Sequence, residues 1–434
     1  MIKFLKKQPP VRLISGGFLL VIFLGSLLLM LPISLNEGVK LNYVDSLYTS
    51  VSAVCVTGLS TIEAGATFSV FGKIVLGALI QVGGLGVATV GAGFIMLMGK
   101  KMDLKSRNLV HEAMNLDSGK GARRFLREVF FTTLIIEAVG AIFSFVVFVQ
   151  EFEWKTALGY SIFHAVSAFN NAGFDIFGRG TNLIPYQSNI LFNIITSALI
   201  IFGGIGFLVI KEMRVKGFCW RKYSMHARVV LLMTAILLVS GTVLIKITEG
   251  DSITWLGAFF ASVTARTAGF STFSFGEFSK AGLMVMMALM FVGASSGSTG
   301  GGIKTTTVFV ILKSIIAAIK QGDVTVFKYT IPKKIYTKAS VIALIGVLVV
   351  SCLTFTLCLL EPNIAFIDLL FESVSAFATV GLSTGITPSL SIGAKIACMP
   401  VMFIGRLGPL TVASLWSFGK SSSVRYPDGN LAIG

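Results

Sequence analysis

One phrase of small and apolar residues is written four times along this chain. It reads YVDSLYTSVSAVCVTGLST at residues 43–61, ALGYSIFHAVSAFNNAGFDIF at 157–177, WLGAFFASVTARTAGFSTF at 255–273 and IDLLFESVSAFATVGLSTG at 367–385. Each copy begins with an apolar run of about 11 to 13 residues and ends in a loop with a glycine at the same place. Such a run is shorter than a membrane span of ~20 residues and is typical of a re-entrant helix.

The composition of the chain is that of a polytopic membrane protein. Of the 434 residues, 54% are hydrophobic and 13% are charged, with a mean hydropathy of +0.85, whereas a soluble domain carries about 25% charged residues. Longer apolar runs flank each phrase in pairs, at 12–31 and 68–98, 126–149 and 189–210, 226–247 and 281–319, and 338–360 and 391–418. The order span, half-helix, glycine loop, span therefore recurs four times.

These repeats predict the fold class and its division along the chain. We predict an all-α membrane protein in which four span–half-helix–span repeats surround one pore in a pseudo-fourfold arrangement. The predicted boundaries are 1–98, 99–217, 218–320 (with a broken second span) and 321–420, followed by a cytoplasmic tail at 421–434. The basic and apolar N-terminus resembles a signal peptide, but its apolar stretch is long for one, and we interpret it as an uncleaved first span.

The positive charges predict the orientation of the chain. Of its 36 basic residues, 25 lie in five segments: the N-terminus to Arg12, residues 99–124, 211–228 and 313–338, and the tail from Lys420. All five fall on one side if each repeat crosses the membrane out and back, and the positive-inside bias makes that side the cytoplasm. The net charge of +16 is thus explained by topology, and no nucleic-acid partner is predicted.

The glycine loops predict a cation filter. Non-helical backbone at membrane depth is tolerated only where protein buries it or where it lines a water-filled cavity, and rings of backbone carbonyls can replace the hydration shell of an alkali cation. Half-helices would turn their negative C-terminal ends toward that cation. The alternative is that the small residues merely pack helices, but four phrases in register favour the filter. Its predicted residues are Val56, Thr57, Gly58, Asn171, Ala172, Gly173, Thr267, Ala268, Gly269, Thr379, Val380 and Gly381.

Several longer motifs resemble one family. LLMLPIS (28–34), FNNAGF (169–174), RTAGF (266–270), IGRLGPLT (404–411) and RYPDG (425–429), together with the four repeats, resemble the KtrB/KtrD-like membrane subunits of bacterial Ktr potassium-uptake systems, within the Trk/Ktr/HKT superfamily. The resemblance spans nearly the whole chain. It implies a bacterial plasma-membrane protein, a homodimer, and a cytosolic KtrA/KtrC-like ring of RCK subunits that binds the regulatory nucleotide and gates transport.

The resemblance also bears on the transported ion. In related HKT proteins a serine in the first loop accompanies sodium permeability, and the glycines here imply potassium. The chain lacks the TVGYG of strict potassium channels, so we expect weaker selectivity. Sodium as an activator is implied by the family alone, because no residues define a sodium site; no covalently bound cofactor is expected.

The third repeat carries a second feature, GASSGSTGGGIKTTT at residues 293–307. Four glycines among six residues break a helix, since each is unfavourable by about 1 kcal/mol relative to alanine. A phosphate-binding loop is a poor reading, because Ile303 separates Gly302 from Lys304 and no strand is expected before it. The resemblance implies an intramembrane gate loop below the filter, and the gate residues are Gly293, Ser295, Gly297, Gly300, Gly301, Gly302 and Lys304.

Two arginines lie at membrane depth. Arg406, in the last span, must face the pore or a partner because an unpaired charge there is costly; we expect it to contact the gate loop and add a positive barrier, with a capping role between helices as the alternative. Arg266, in the third loop, is expected to support the filter by bonding backbone carbonyls. Glu137 is expected to make a helix–helix hydrogen bond.

Other polar and glycine positions give weaker predictions. Asp45 and Asp368 lie 13 residues before their loop glycines and are expected to cap half-helices or add negative potential at the mouth. Glycines recur some 24 to 30 residues after each loop glycine, at 83–84, 203–204, 293 and 405, and predict a weak point in every second span.

The sequence disfavours two other functions and leaves a third open. A proton-coupled transporter would need paired acids in its spans and inverted repeats, which the chain lacks. A membrane enzyme would need a cluster of catalytic His, Asp or Cys residues, and none is apparent, so no enzymatic activity is predicted. Sodium or mixed sodium and potassium transport is the remaining rival.

Overall fold

The chain is predominantly helical in the part that the structure describes. The computed structural model describes residues 10–97, 122–178, 180–217 and 219–414. Within these ranges strands form a single hairpin, β1 (Thr325–Val326) with β2 (Tyr329–Thr330), in antiparallel pairing. This confirms the predicted all-α class. The predicted tail and most of the basic segment 99–124 lie outside the described residues.

Four helices are long and apolar enough to cross a membrane. They are α1 (Pro10–Leu29), α6 (Ala122–Phe148), α10 (Met225–Glu249) and α14 (Lys333–Leu360). Large aliphatic side chains on their outer faces are exposed, including Leu134 at 64% and Leu344 at 62%. An apolar surface of this kind fits lipid chains rather than water.

Four short helices correspond to the repeated phrases. They are α2 (Tyr43–Cys55), α7 (Trp154–Phe169), α11 (Trp255–Thr264) and α15 (Phe366–Ala378). The longest has 16 residues, or about 24 Å, less than the ~30 Å of a hydrocarbon core. Some of their large side chains, such as Tyr48 and Phe371, are completely buried. The prediction of sub-spanning helices at these four places is confirmed.

A second apolar helix follows each phrase. These helices are α4 (Val70–Leu85), α8 (Ile190–Ile205), α12 (Lys280–Phe291) and α16 (Ile392–Leu407), and a short turn, α3 (Ala64–Thr67), precedes the first. Each begins at an N-cap whose side-chain oxygen accepts a hydrogen bond from the third backbone N–H of the helix at 3.0 to 3.3 Å. The caps are Ser69, Asn189, Ser279 and Ser391. Because such caps satisfy free N–H groups, they fix where each helix starts.

All four of these helices break and continue. The continuations are α5 (Val87–Leu97), α9 (Phe207–Lys216), α13 (Thr305–Ile319) and α17 (Pro409–Ser414). Three breaks fall at Gly86, Gly206 and Gly408, whose φ values of 85°, 93° and 91° favour glycine. The third helix is instead interrupted by residues 292–304, which we call the crossing loop. At the second break α9 turns by 101° from α8.

In three of the four helices the break therefore falls later in the chain than the predicted weak point. Gly83, Gly203 and Gly405 stay helical, three residues before each break. A Cβ on any of them would overlap a carbonyl oxygen at the end of a short helix, at Val54, Phe169 and Phe377 respectively. Glycine is required at these positions because two backbones are in contact there. The break itself falls at the glycine three residues later.

The packing between successive phrases closes on itself. The apolar helix that follows each phrase contacts the short helix of the next phrase. Thus α4 packs on α7, α8 on α11, α12 on α15, and α16 on α2. Each short helix also contacts the long helix that precedes it in the chain. The four short helices are thereby brought around a common centre, where their C-terminal loops meet.

Candidate ion-binding site

The four loops share one backbone conformation. The residue two places before each glycine is left-handed in all four, with φ between 51° and 71°, and the glycine itself has φ between 68° and 96°. The first set comprises Val56, Asn171, Thr267 and Thr379; the second comprises Gly58, Gly173, Gly269 and Gly381. Left-handed valine and threonine are strained outliers, and such strain persists only where the surroundings enforce it and clusters at functional sites.

The four glycines form a closed ring. A Cβ on Gly58 would lie 2.5 Å from the carbonyl oxygen of Ala172, and one on Gly173 would lie 2.7 Å from that of Ala268. Gly269 faces the carbonyl of Val380 still more closely, and Gly381 faces that of Thr57. Each loop thus presents the carbonyl that precedes its glycine to the glycine of the loop before it. We call this set the glycine ring.

A hydroxyl near the end of each short helix fixes its loop. Ser52 and Ser375 accept hydrogen bonds from the backbone N–H groups of Gly58 and Gly381, at 3.0 and 3.1 Å. In the other two loops the hydroxyl instead donates to the carbonyl after the glycine: Ser167 to that of Phe174 and Thr264 to that of Phe270. Sequence reasoning missed these residues, although the recurring VSA or VTA in the phrases was a signal. Thr264 lies one position nearer its glycine, because the third loop is one residue shorter.

Two further hydroxyls lie buried in the loops. The Oγ1 atoms of Thr57 and Thr379 are buried and have no hydrogen-bond partner among the described residues. Unsatisfied buried hydroxyls are uncommon and call for a ligand, an ion or an unseen water. Hydroxyls and the carbonyls of the ring are both oxygen groups of the kind that hard cations prefer.

A cavity opens on one side of the glycine ring. It has a volume of about 370 Å³ and is lined by all four ring glycines and by the loops that follow them. Two acids, Glu63 and Asp175, contribute to its wall. Burial raises the pKa of Asp175 to about 6; the charge of Glu63 adds to this rise, and the N–H of Phe177 opposes it. The cavity therefore holds carboxylates that attract cations at neutral pH.

The crossing loop lies on the opposite side of the ring. Its Gly300 and Gly301 pack directly against the hydroxyls of Thr267 and Thr379, where a Cβ would overlap either oxygen. At its base, Gly293 abuts the carbonyl of Gly301. The crossing loop therefore covers the third and fourth glycine loops on the side away from the cavity.

Hydrogen bonds tie the crossing loop to the breaks of two neighbouring helices. The N–H groups of Ser295 and Thr299 donate to the carbonyls of Gly204 and Gly203, and that of Phe207 donates to the carbonyl of Gly297 at 3.0 Å. On the other side, the N–H of Gly302 donates to the carbonyl of Gly405 at 3.2 Å. The side chain of Lys304 folds back onto the loop and donates to the carbonyl of Gly300 at 2.7 Å. The loop spans the space between α8 and α16.

Arg406 completes this bridge. Its guanidinium donates to the carbonyl of Thr299 in the crossing loop and, at 2.5 and 2.9 Å, to the carbonyls of Gly83 and Gly84 in α4. It thus contacts the loop as expected, and it also bonds helix carbonyls as the alternative predicted. Through it, the crossing loop is joined to the break region of the first repeat as well.

Arg266 differs from its prediction. It is buried behind the third loop, with 5% of its surface exposed, but its hydrogen bond goes to the hydroxyl of Thr234 on α10 at 3.3 Å, rather than to backbone carbonyls. The arginine therefore connects the loop to the adjacent long helix.

Glu137 belongs to a polar cluster behind the second loop. Its carboxylate accepts hydrogen bonds from Gln81 on α4 at 3.3 Å and from Asn170 at 3.0 Å, and Asn170 also donates to Gln81 at 2.7 Å. The expected helix–helix hydrogen bond is present. Its bond to Asn170 joins α6 to the end of α7 within one repeat. The contribution of Gln81 could not be foreseen, because it depends on α4 packing against α7 across the repeat boundary.

The acids of the first turns do not cap their helices. Asn42 and Ala365 occupy the N-cap positions of α2 and α15. Asp45 instead forms a salt bridge with Lys395 of α16 at 2.9 Å. No cluster of three or more His, Cys, Asp or Glu side chains that could hold a metal occurs within the described ranges.

The chain matches known cation transporters over its whole length. The TrkH model, described as a cation transport protein, matches residues 13–229 and 220–423. The chain is 37% identical to Ktr system potassium uptake protein B of Bacillus subtilis, covering 100% of this chain and 98% of that protein, and 35% identical to the potassium/sodium uptake protein NtpJ of Enterococcus hirae, covering 99% and 98%. The potassium transporter TrkH of Vibrio parahaemolyticus has the same fold, with a TM-score of 0.72 at 16% identity, over 93% of this chain and 85% of that one. The chain belongs to the TrkH/Ktr family of membrane cation transporters.

Proposed function

We propose that this chain is the membrane subunit of a potassium-uptake system and that potassium passes through the glycine ring. The ring itself is the observation that carries the proposal: four loops with the same two positive-φ positions bring backbone carbonyls against one another's glycines. The closed order of packing, from α4 on α7 to α16 on α2, supports a pseudo-fourfold arrangement of four repeats with the boundaries predicted from sequence.

The electrostatics favour a cation. The four short helices end at the ring, so the negative ends of their dipoles point toward it. The cavity on one side contains Glu63 and Asp175, and a negatively lined cavity concentrates cations at its mouth. Since the ring contributes carbonyls and no carboxylates, the ion passes through a filter of fixed dipoles. No chemistry on a substrate is required, and the chain acts as a transporter rather than as an enzyme.

The positive-inside bias favours an orientation in which the termini and the crossing loop face the cytoplasm of a bacterial cell. The cavity with Asp175 then faces outward. An inside-negative potential contributes about 2.3 kcal/mol per monovalent cation for each ~100 mV, which suffices to drive uptake through a passive pore. The crossing loop, held by Arg406 on one side and by α8 on the other, is the gate in its closed position.

The relatives suggest partners. The name of the Bacillus subtilis relative describes it as one protein of a system, and we infer that this chain likewise works as a homodimer with a cytosolic RCK-type ring that carries the nucleotide. The Enterococcus hirae relative is named for both potassium and sodium. Mixed potassium and sodium transport, or activation by sodium, is therefore the second candidate.

A flux measurement on the purified chain tests the proposal. Uptake of K⁺, Rb⁺ and Na⁺ is compared in proteoliposomes for wild type, Gly58→Ser and Gly385→Ser. Both glycines have a positive φ, but Gly58 faces the next loop, whereas a Cβ on Gly385 meets nothing within 4 Å. The second variant therefore tests strain at a positive φ in the cavity wall, without a contact to the next loop.

We expect wild type to favour K⁺ and Gly58→Ser to lose that preference, with Gly385→Ser unchanged. Equal K⁺ and Na⁺ flux in wild type would favour the mixed transporter. Unaltered selectivity in Gly58→Ser, in a folded protein that conducts, would exclude the ring as the filter. Repeating the assay with the RCK partner distinguishes a chain that is shut from one that has no pore here.

A further inference from the structure

A basic pocket lies between α6 and α9, remote from the glycine ring. It has a volume of about 70 Å³ and is partly open to the outside. Arg124, Lys211 and Arg214 line it together with one acid, Glu128. The pocket thus carries three positive charges against one negative charge. None of these residues contributes to the ring, the crossing loop or the cavity with Asp175.

Glu128 holds two of the three cations in place. Its carboxylate contacts Lys211 at 2.8 Å and Arg124 at 3.1 Å. Arg214 makes no ion pair with any described residue and is exposed. The arrangement leaves excess positive charge at the rim, where an anionic group can bind several donors at once.

The remainder of the wall is apolar. Phe125, Ile210 and Val215 are among its lining residues, and the Phe125 ring lies 5.4 Å from the ammonium group of Lys211. A site with basic groups at the rim and aliphatic and aromatic side chains beneath them suits a ligand that is charged at one end and apolar at the other.

The position of the pocket identifies that ligand. α6 is long enough to cross the membrane and begins at Ala122, so its first turn lies at a membrane surface. α9 turns by 101° from α8 and therefore runs nearly along that surface. Basic pockets between helices at this level are typical sites for lipid headgroups.

We propose that this pocket binds an anionic phospholipid, with the phosphate at Arg124, Lys211 and Arg214 and the acyl chains along Phe125 and Ile210. The leaflet is the cytoplasmic one if the proposed orientation holds. In wild type Glu128 limits affinity, because it competes with the phosphate for two of the donors.

Lipid bound here can influence the crossing loop. α9 begins at Phe207, whose backbone N–H donates to the carbonyl of Gly297. A ligand that fixes α9 against α6 therefore acts on the loop through one backbone hydrogen bond. This consequence rests on the proposed gating function, whereas the binding itself does not.

The experiment measures lipid retention on the full-length purified protein by native mass spectrometry. Dioleoylphosphatidylglycerol competes with dioleoylphosphatidylcholine for wild type, Lys211→Gln, Arg214→Gln, Glu128→Gln and the control Lys333→Gln/Lys334→Gln. The control removes two charges from the first turn of another spanning helix. Inorganic phosphate and ATP are added in separate arms.

We expect phosphatidylglycerol to be retained preferentially, and retention to fall about fivefold for each single basic substitution in the pocket. Glu128→Gln should strengthen retention, a change of sign that simple loss of structure cannot produce. The control should match wild type.

Three results would overturn the proposal: equal retention of both lipids, equal loss in the control, or displacement of the lipid by phosphate or ATP alone. Charge dependence seen only for binding of the RCK partner would likewise overturn it and make the pocket a protein-docking site. Because retention requires no flux, its outcome is independent of whether potassium passes through the ring.

Discussion

Replacing Arg406 by glutamine tests whether the crossing loop closes the pore. The guanidinium makes three hydrogen bonds to carbonyls, and the one to Thr299 is its only bond to the loop. Arg406→Gln removes the charge and cannot reach both sides at once. If the closed position depends on this tie, K⁺ flux through the chain alone should rise.

The size of the effect follows from one bond. A hydrogen bond to a charged group contributes about 1.5–3 kcal/mol, which corresponds to roughly a 10- to 150-fold change in the ratio of open to closed loops. The loop keeps its other ties, since the N–H and the hydroxyl of Thr299 still bond Gly203 and Phe169. The observed gain should therefore lie toward the lower end of that range.

The assay is K⁺ uptake in proteoliposomes without a partner subunit, with the thermal unfolding midpoint recorded for each variant. Arg406→Lys separates two effects, because lysine keeps the positive charge but lacks the fork that joins α4 to the loop. If lysine behaves like glutamine, the tie matters; if it behaves like arginine, the charge itself is the barrier. Unchanged or reduced flux in a folded Arg406→Gln protein would refute the role of this residue in closure.

Three further changes give distinct outcomes. Asp175 has its pKa raised to about 6, so acidification from pH 7.5 to 5 should protonate it and reduce uptake at low external K⁺; Asp175→Asn should flatten that pH profile, and an identical profile would exclude it. Glu137→Leu leaves polar partners unsatisfied behind the second loop and should lower stability by about 1–3 kcal/mol together with K⁺ selectivity, whereas a loss of stability alone would limit it to a structural role. Gly203→Ala should destabilise by about 1–3 kcal/mol because its methyl group overlaps the carbonyl of Phe169, while Gly159→Ala, with open space around it, should be neutral or stabilising, both read from thermal unfolding.

Much of the fold could be predicted from sequence because the membrane limits the choices. An apolar run either spans the bilayer or does not, and run length alone identified the four short helices. The repetition gives a second prediction: a glycine at the same place in all four phrases predicts that the four loops meet. The residues of the glycine ring can therefore be predicted without knowing the hydrogen-bond partners of any side chain.

Side-chain partners across repeats could not be predicted in this way. The bonds of Gln81 to Glu137 and Asn170 depend on α4 packing against α7, and the bond of Arg266 to Thr234 depends on where α10 lies beside the third loop. The breaks were misplaced for a related reason. A glycine required for close approach, such as Gly203, and one required for a positive φ, such as Gly206, look identical in a sequence.

The glycine ring is drawn from a single chain, and its four walls are not equivalent. In an assembly of four identical subunits, one substitution changes every wall at once. Here the third loop is one residue shorter than the other three, contains Arg266, and has Thr264 where the other loops have serine. One mutation alters one quarter of the ring, so the filter proposed above can be changed one wall at a time and in four unequal ways.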